Sequence, residues 1–328
     1  MVNGQRENRI AEAWQGLGRW IGTHLMVVVP TGVAIGILFP QLLLPIKPYI
    51  PGLFAIMTFQ NSLGNEVGAM EKTLARPLPL ALILLTVHVA MPLVTFGAST
   101  LVFGAGSPTV AGVVLEYSVP IGASTVMWIG MFAGDLALGL SALLVSTLAA
   151  PFTIPLTLKL LVGKTVEIDA LGMIADMLFM IALPALAATV LNELSHGWAK
   201  RDLQPATMPV SRILLPVIVA TNATGIADYL HDLSLRLVGI IAFMLVFAIL
   251  SLVVGMLLAR LLSKTRAHYV ATAFSCGIRN VSAGAVLASQ YFGPEVMFPA
   301  VIGTLFQQFL AALFGQLMQR TLERSSLR

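Results

Sequence analysis

Charge is scarce in this chain. Only 10% of its 328 residues are Asp, Glu, Lys or Arg, where a soluble globular domain carries about 25%. A water-soluble surface cannot be built over so apolar a composition, and the many long uncharged runs point to lipid as the solvent. Cysteine is scarcer still. Cys276 stands alone, which excludes an internal disulfide framework and any multi-cysteine metal site. The chain lacks an HExxH pair, clustered histidines and paired in-span aspartates, so a membrane-embedded enzyme is disfavoured. A nucleotide-driven pump is disfavoured by the lack of a Walker loop, and a channel by the lack of a repeated pore ring. The net charge of +4 is spread between apolar runs, without the dense basic block of a nucleic-acid surface.

What is present is a series of apolar runs, each near the 20 residues or so that cross a bilayer as a helix. They fall at about 22–40, 49–67, 77–103, 107–132, 136–161, 170–192, 208–227, 233–261, 268–291 and 295–318, which predicts ten membrane helices in an all-α polytopic protein. Fourteen of the nineteen Lys and Arg residues fall on the N-terminal side of that pattern, Lys72, Arg76, Lys264 and Arg328 among them. Lys47, Lys159, Lys164 and Arg236 fall on the other side, and Arg279 falls inside a span. The positive-inside rule then places both termini in the cytoplasm, which requires an even number of spans. The expected location is a plasma membrane of bacterial inner-membrane type. Residues 1–20 read as a cytoplasmic tail in which "RIAEAWQGLGRW" forms an interfacial helix.

Spans four and nine differ from the rest. The fourth, "TVAGVVLEYSVPIGASTVMWIGMFAGD", carries Glu116, a central Pro120, Gly122, Ser124 and Thr125. The ninth, "HYVATAFSCGIRNVSAGAVLASQYFGPE", carries Ser275, Gly277, Arg279, Asn280 and Ser282 at its middle. Proline removes a helical hydrogen bond and glycine weakens the helix, so both spans should break midway, at Pro120, Gly122 and Gly277. Each is fourth in its set of five. Five spans is odd, so the second set, 165–320, must run inverted relative to the first, 21–162, leaving 321–328 as a second cytoplasmic tail. Broken spans at matching positions of inverted halves are the best sequence pointer to a transporter binding site.

These residues resemble the bile acid/sodium symporter family, within the bile acid, arsenite and riboflavin transporter superfamily. The likeness runs from about residue 22 to 318. It rests on "ARPLPLALILLTVHVAMPL" (75–93), "PIGAST" (120–125), "GDLAL" (134–138), "VSTLAAPFTIPL" (145–156) and "PAVIGTLFQQ" (299–308) in order and spacing. The resemblance implies a panel domain, a core domain holding two crossing helices, and secondary transport of an organic anion by alternating access. It also implies two sodium sites, and there the chain departs from the family. Ser275 stands for a glutamate, Arg279 for a glutamine and Val87 for another glutamine, while Thr125-Val126, or Ser124-Thr125 if a gap is allowed, replaces a Ser-Asn pair. What remains of those sites lies near Thr125, Ser275 and Asn280. An arginine among the crossing carbonyls would repel a cation.

The expected activity is therefore transport of a small or amphipathic carboxylate, by exchange, uniport or proton coupling, with a conventional sodium symporter as the alternative. No cofactor is expected, and a monomer is the simplest assembly. A charge at mid-membrane costs about 2.5–3.5 kcal/mol even on the mildest scale, so Arg279 needs a partner: a substrate carboxylate or Glu116. Asn280, Ser124, Thr125, Gln307 and Gln308 are candidate substrate contacts. For the first three the competing role is capping of the broken helices, and for the glutamines it is helix–helix hydrogen bonding. His88, alone on an apolar helix, reads as a packed core residue.

Overall fold

The computed structural model describes residues 2–66, 68, 73, 77–230, 234–263 and 265–324, without the side chains of 2–11, 323 and 324. Lys72, Arg76, Lys264, Arg328 and the tail 325–328 lie outside the described residues. Among the described residues the regular structure is helical, and the sole β feature is an isolated antiparallel bridge between Ile121 and Arg279.

Among the described residues seven helices are long and apolar enough to cross a membrane: Pro40–Ser62, Pro77–Phe103, Leu136–Val162, Ala170–Leu194, Ala199–Ile226, Leu235–Leu262 and Pro294–Leu322. An eighth candidate joins Glu12–Thr23 to Leu25–Leu38 through an 85° bend. This first span is shorter than the run 22–40 suggests. Its membrane part has 14 residues, about 21 Å at 1.5 Å per residue. It ends where it does because Phe39 precedes Pro40, and a residue before proline is pushed out of the helical region.

Three of the described helices contain a π-helical turn, each two residues ahead of a proline. They are Thr86–Ala90 before Pro92, Leu178–Ala182 before Pro184, and Ala199–Leu203 before Pro205. Proline offers no amide to the carbonyl behind it. In each case the amide just before the proline reaches back five residues, as Met91 does to Thr86. At the first of these turns the Val87 carbonyl loses both helical donors, because the Met91 amide is taken and Pro92 has none.

The segments 107–132 and 268–291 are each broken, into Pro108–Ser118 with Ser124–Met131 and Arg266–Gly277 with Val281–Tyr291. Among the described residues the interior forms two large apolar clusters and a small third one of Leu63, Ala188 and Ala199. One large cluster gathers Pro108–Ser118, Val281–Tyr291 and the first part of the last helix; the other gathers Ser124–Met131, Arg266–Gly277 and its second part. The leading half of each broken helix packs beside the trailing half of the other. Both breaks therefore meet at one buried point.

Candidate substrate site at the crossing of two broken helices

The first helix stops at Ser118 because Val119, held before Pro120, is extended (φ −64°, ψ 154°). The second stops at Gly277, with Ile278 extended and Asn280 capping the next half: its Oδ1 accepts the Ala283 amide at 3.2 Å. The two short extended pieces run antiparallel. Gly122 donates its amide to the Ile278 carbonyl (3.1 Å) and Asn280 donates to the Pro120 carbonyl (2.8 Å). Gly122 is needed for that approach: a Cβ there would sit 2.5 Å from the Arg279 carbonyl oxygen.

Breaking a helix in a membrane strands backbone groups that must be satisfied inside the protein. Side chains do this here. The Ile121 amide donates to Ser146 Oγ (3.0 Å) and the Arg279 amide donates to Gln307 Oε1 (2.9 Å). Ser146 Oγ also lies 2.8 Å from His88 Nε2, and His88 Nδ1 lies 3.1 Å from Thr153 Oγ1. Thr153 donates its hydroxyl hydrogen to the Ala149 carbonyl (3.2 Å) and so accepts from Nδ1. That assigns the imidazole proton to Nδ1 and leaves Nε2 to accept from Ser146. His88 is thus a satisfied core residue bracing the crossing. Gln308 accepts from Trp128 Nε1 (3.0 Å) and donates to Ser124 Oγ (3.3 Å). Four of the polar side chains named from sequence, Ser124, Asn280, Gln307 and Gln308, therefore engage one another, the backbone or Trp128. Thr125 and Ser275 are wholly buried, and their hydroxyl oxygens have no hydrogen-bond partner.

Arg279 is 3% exposed. Its Nη1 donates to the Val87 carbonyl at 3.0 Å, the acceptor that the π turn and Pro92 leave free. The guanidinium thus reaches the backbone of the position where the family likeness lacks its glutamine. Nε and Nη2, the side-on pair that grips a carboxylate through two parallel bonds, have no partner. Glu116, 2% exposed, lines the same small cavity of about 20 Å³, and its Oε2 is unpartnered. Among the described residues no carboxylate lies within 4.0 Å of the guanidinium, so the Glu116–Arg279 ion pair expected from sequence is not made in this conformation. The Val87 carbonyl holds the guanidinium instead. Glu116 rests between Gly284 and Gly303, where an added Cβ would come within 2.6 and 2.7 Å of its oxygens.

Sequence reasoning missed Ser146, Trp128 and the Val87 carbonyl. The hydroxyl lies inside a motif quoted for family likeness alone. A backbone acceptor has no residue signature, though the X-Pro step after residue 90 signals its release.

Long apolar helices enclosing a buried polar crossing define a polytopic integral membrane protein of transporter type. The model of the Sodium Bile acid symporter family matches residues 50–233, and the chain belongs to that family, a family of transporters rather than enzymes. The uncharacterized protein YbaS of Bacillus subtilis (strain 168) is 34% identical over 294 residues, covering 90% of this chain and 96% of YbaS. The uncharacterized sodium-dependent transporter YocS of the same strain is 22% identical over 301 residues, covering 91% and 92%. The probable sodium/metabolite cotransporter BASS1, chloroplastic, of Arabidopsis thaliana is 24% identical over 324 residues, covering 97% of this chain and 78% of its own length.

Proposed function

We propose that this transporter carries a small or amphipathic organic anion by alternating access, with Arg279 in place of a sodium ion at the crossing. The observation that carries the reading is the buried, unpartnered Nε–Nη2 face of Arg279. A guanidinium fork of that kind suits a carboxylate, and leaving it empty is costly. A fixed positive charge there opposes a second cation nearby. On this reading the seven long helices, Leu25–Leu38 and the two broken helices make ten spans. They form inverted repeats over 21–162 and 165–320, with cytoplasmic tails at 1–20 and 321–328. Ser124, Asn280, Gln307 and Gln308 hold the crossing in shape around the fork. The bilayer and a small organic anion are the partners.

A second reading has its own support. The names of YocS and BASS1 specify sodium, and the unpartnered hydroxyls of Thr125 and Ser275 are hard oxygen donors. The two readings separate in a thermal-stability screen of the purified protein against organic carboxylates, in sodium and in choline buffers. On the anion reading a carboxylate raises the melting temperature equally in both. A rise seen only in sodium, and lost in Thr125→Ala or Ser275→Ala, favours the sodium symporter.

A further inference from the structure

The proposed anion site leaves one group unused, a carboxyl buried at mid-membrane. Glu116 and Arg279 both line a cavity of about 20 Å³, room for about one water molecule. Neither side chain is satisfied. Arg279 keeps two unpartnered nitrogens, Nε and Nη2, and Glu116 an unpartnered Oε2. Beside the Glu116 carboxyl stand Gly284 and Gly303, which have no side-chain donor. Among the described residues no hydrogen bond reaches this carboxyl group, and a buried carboxylate without a donor is costly.

The charged and titratable groups around the pair are few. Tyr117 and Arg279 line the cavity with Glu116, and Leu235–Leu262 and Pro294–Leu322 contribute Met244, Ser251, Gly303 and Gln307, none of them ionisable. Cys276 and His88 lie within electrostatic reach of Arg279. Among the described residues Glu116 and Arg279 are thus the complementary pair lining this cavity, and they are not bonded to each other in this conformation.

We infer that Glu116 is the coupling residue, alternating between the Arg279 fork as a carboxylate and the Gly284–Gly303 side as the neutral acid. Resting on the anion reading, the cycle balances simply. As a substrate carboxylate takes the fork, Glu116 gains one proton from the aqueous phase. When the substrate leaves, Glu116 gives up that proton and returns to the guanidinium. A monocarboxylate then moves with one proton and no net charge.

Infrared spectroscopy of the purified protein, titrated with acid and base and with no anion added, tests this apart from substrate binding. The wild type is expected to show a buried carboxylic-acid carbonyl band that is absent in Glu116→Gln. Should that variant fail to fold, Glu116→Asp moves the band instead. Because Arg279 is the partner of the ionised form, Arg279→Gln is expected to displace the pH at which the band disappears by on the order of 1–3 units. Any carboxyl near Arg279 feels its charge, so a second readout separates coupling from proximity. An imposed proton gradient is expected to drive accumulation of a labelled carboxylate in wild-type proteoliposomes and not in Glu116→Gln, whereas a merely structural Glu116 leaves the gradient's effect unchanged. Absence of the band at every pH, or a band indifferent to Arg279→Gln, overturns the inference and leaves the anion reading standing.

Discussion

Arg279→Gln is expected to abolish substrate exchange while leaving most of the folded protein intact. Two opposing terms govern its stability. Removing the guanidinium relieves a mid-membrane charge worth about 2.5–3.5 kcal/mol, and it strands the Val87 carbonyl at a cost of about 1–3 kcal/mol. These nearly cancel, and the glutamine amide retains a donor for Val87. Nothing cancels the loss at the site. Truncating one partner of a buried, hydrogen-bonded charge pair costs about 2–5 kcal/mol, so binding of the carboxylate falls roughly 30-fold or more. Arg279→Lys keeps the charge without the fork and should fall between the two. Counterflow of a labelled carboxylate in proteoliposomes, beside thermal melting of the same preparation, measures both effects. Unchanged exchange in Arg279→Gln would mean that the fork does not hold the substrate.

Gly122→Val is expected to do the opposite, destroying the fold locally before any question of affinity arises. A Cβ at residue 122 would lie 2.5 Å from the Arg279 carbonyl oxygen and 3.0 Å from its carbonyl carbon. Both are backbone atoms of the opposing piece, so neither can swing away as a side chain would. The bonds from Gly122 to Ile278 and from Asn280 to Pro120 must lengthen together. Each buried group left unmade costs about 1–3 kcal/mol, and the displacement also spoils the seating of Arg279. Lower yield, earlier melting and no exchange are the expected readouts. Gly52→Ala provides the control, since nothing lies within 4 Å of a Cβ there; equal damage from both changes would remove the crossing from the explanation.

The breaks were legible in the sequence because Pro120 and Gly277 are local causes acting on their own helices. Seven of the long spans were legible because hydropathy in lipid is a strong, additive signal. The shortness of the first membrane helix was written in Phe39-Pro40, but a window of apolar residues averages over it. Glu116 and Arg279 were paired in expectation because opposite charges in lipid seek each other. What that reasoning could not contain was a competing acceptor 192 residues away in sequence, a carbonyl released by the π turn before Pro92. The glutamines show the same limit from the other side. Gln307 and Gln308 are adjacent and alike in composition, yet one holds the Arg279 amide and the other bridges Trp128 and Ser124. Only the direction of each side chain on the last helix separates those roles.

The sodium reading uses the buried, unpartnered hydroxyls of Thr125 and Ser275, and the anion reading uses the unpartnered fork of Arg279. Equilibrium binding of radiolabelled sodium to the purified protein decides between them most directly. With Arg279 serving as the fixed cation, binding should not exceed that of the heat-unfolded protein at any sodium concentration. Saturable binding near one ion per chain, lost in Thr125→Ala or Ser275→Ala, would contradict the proposal.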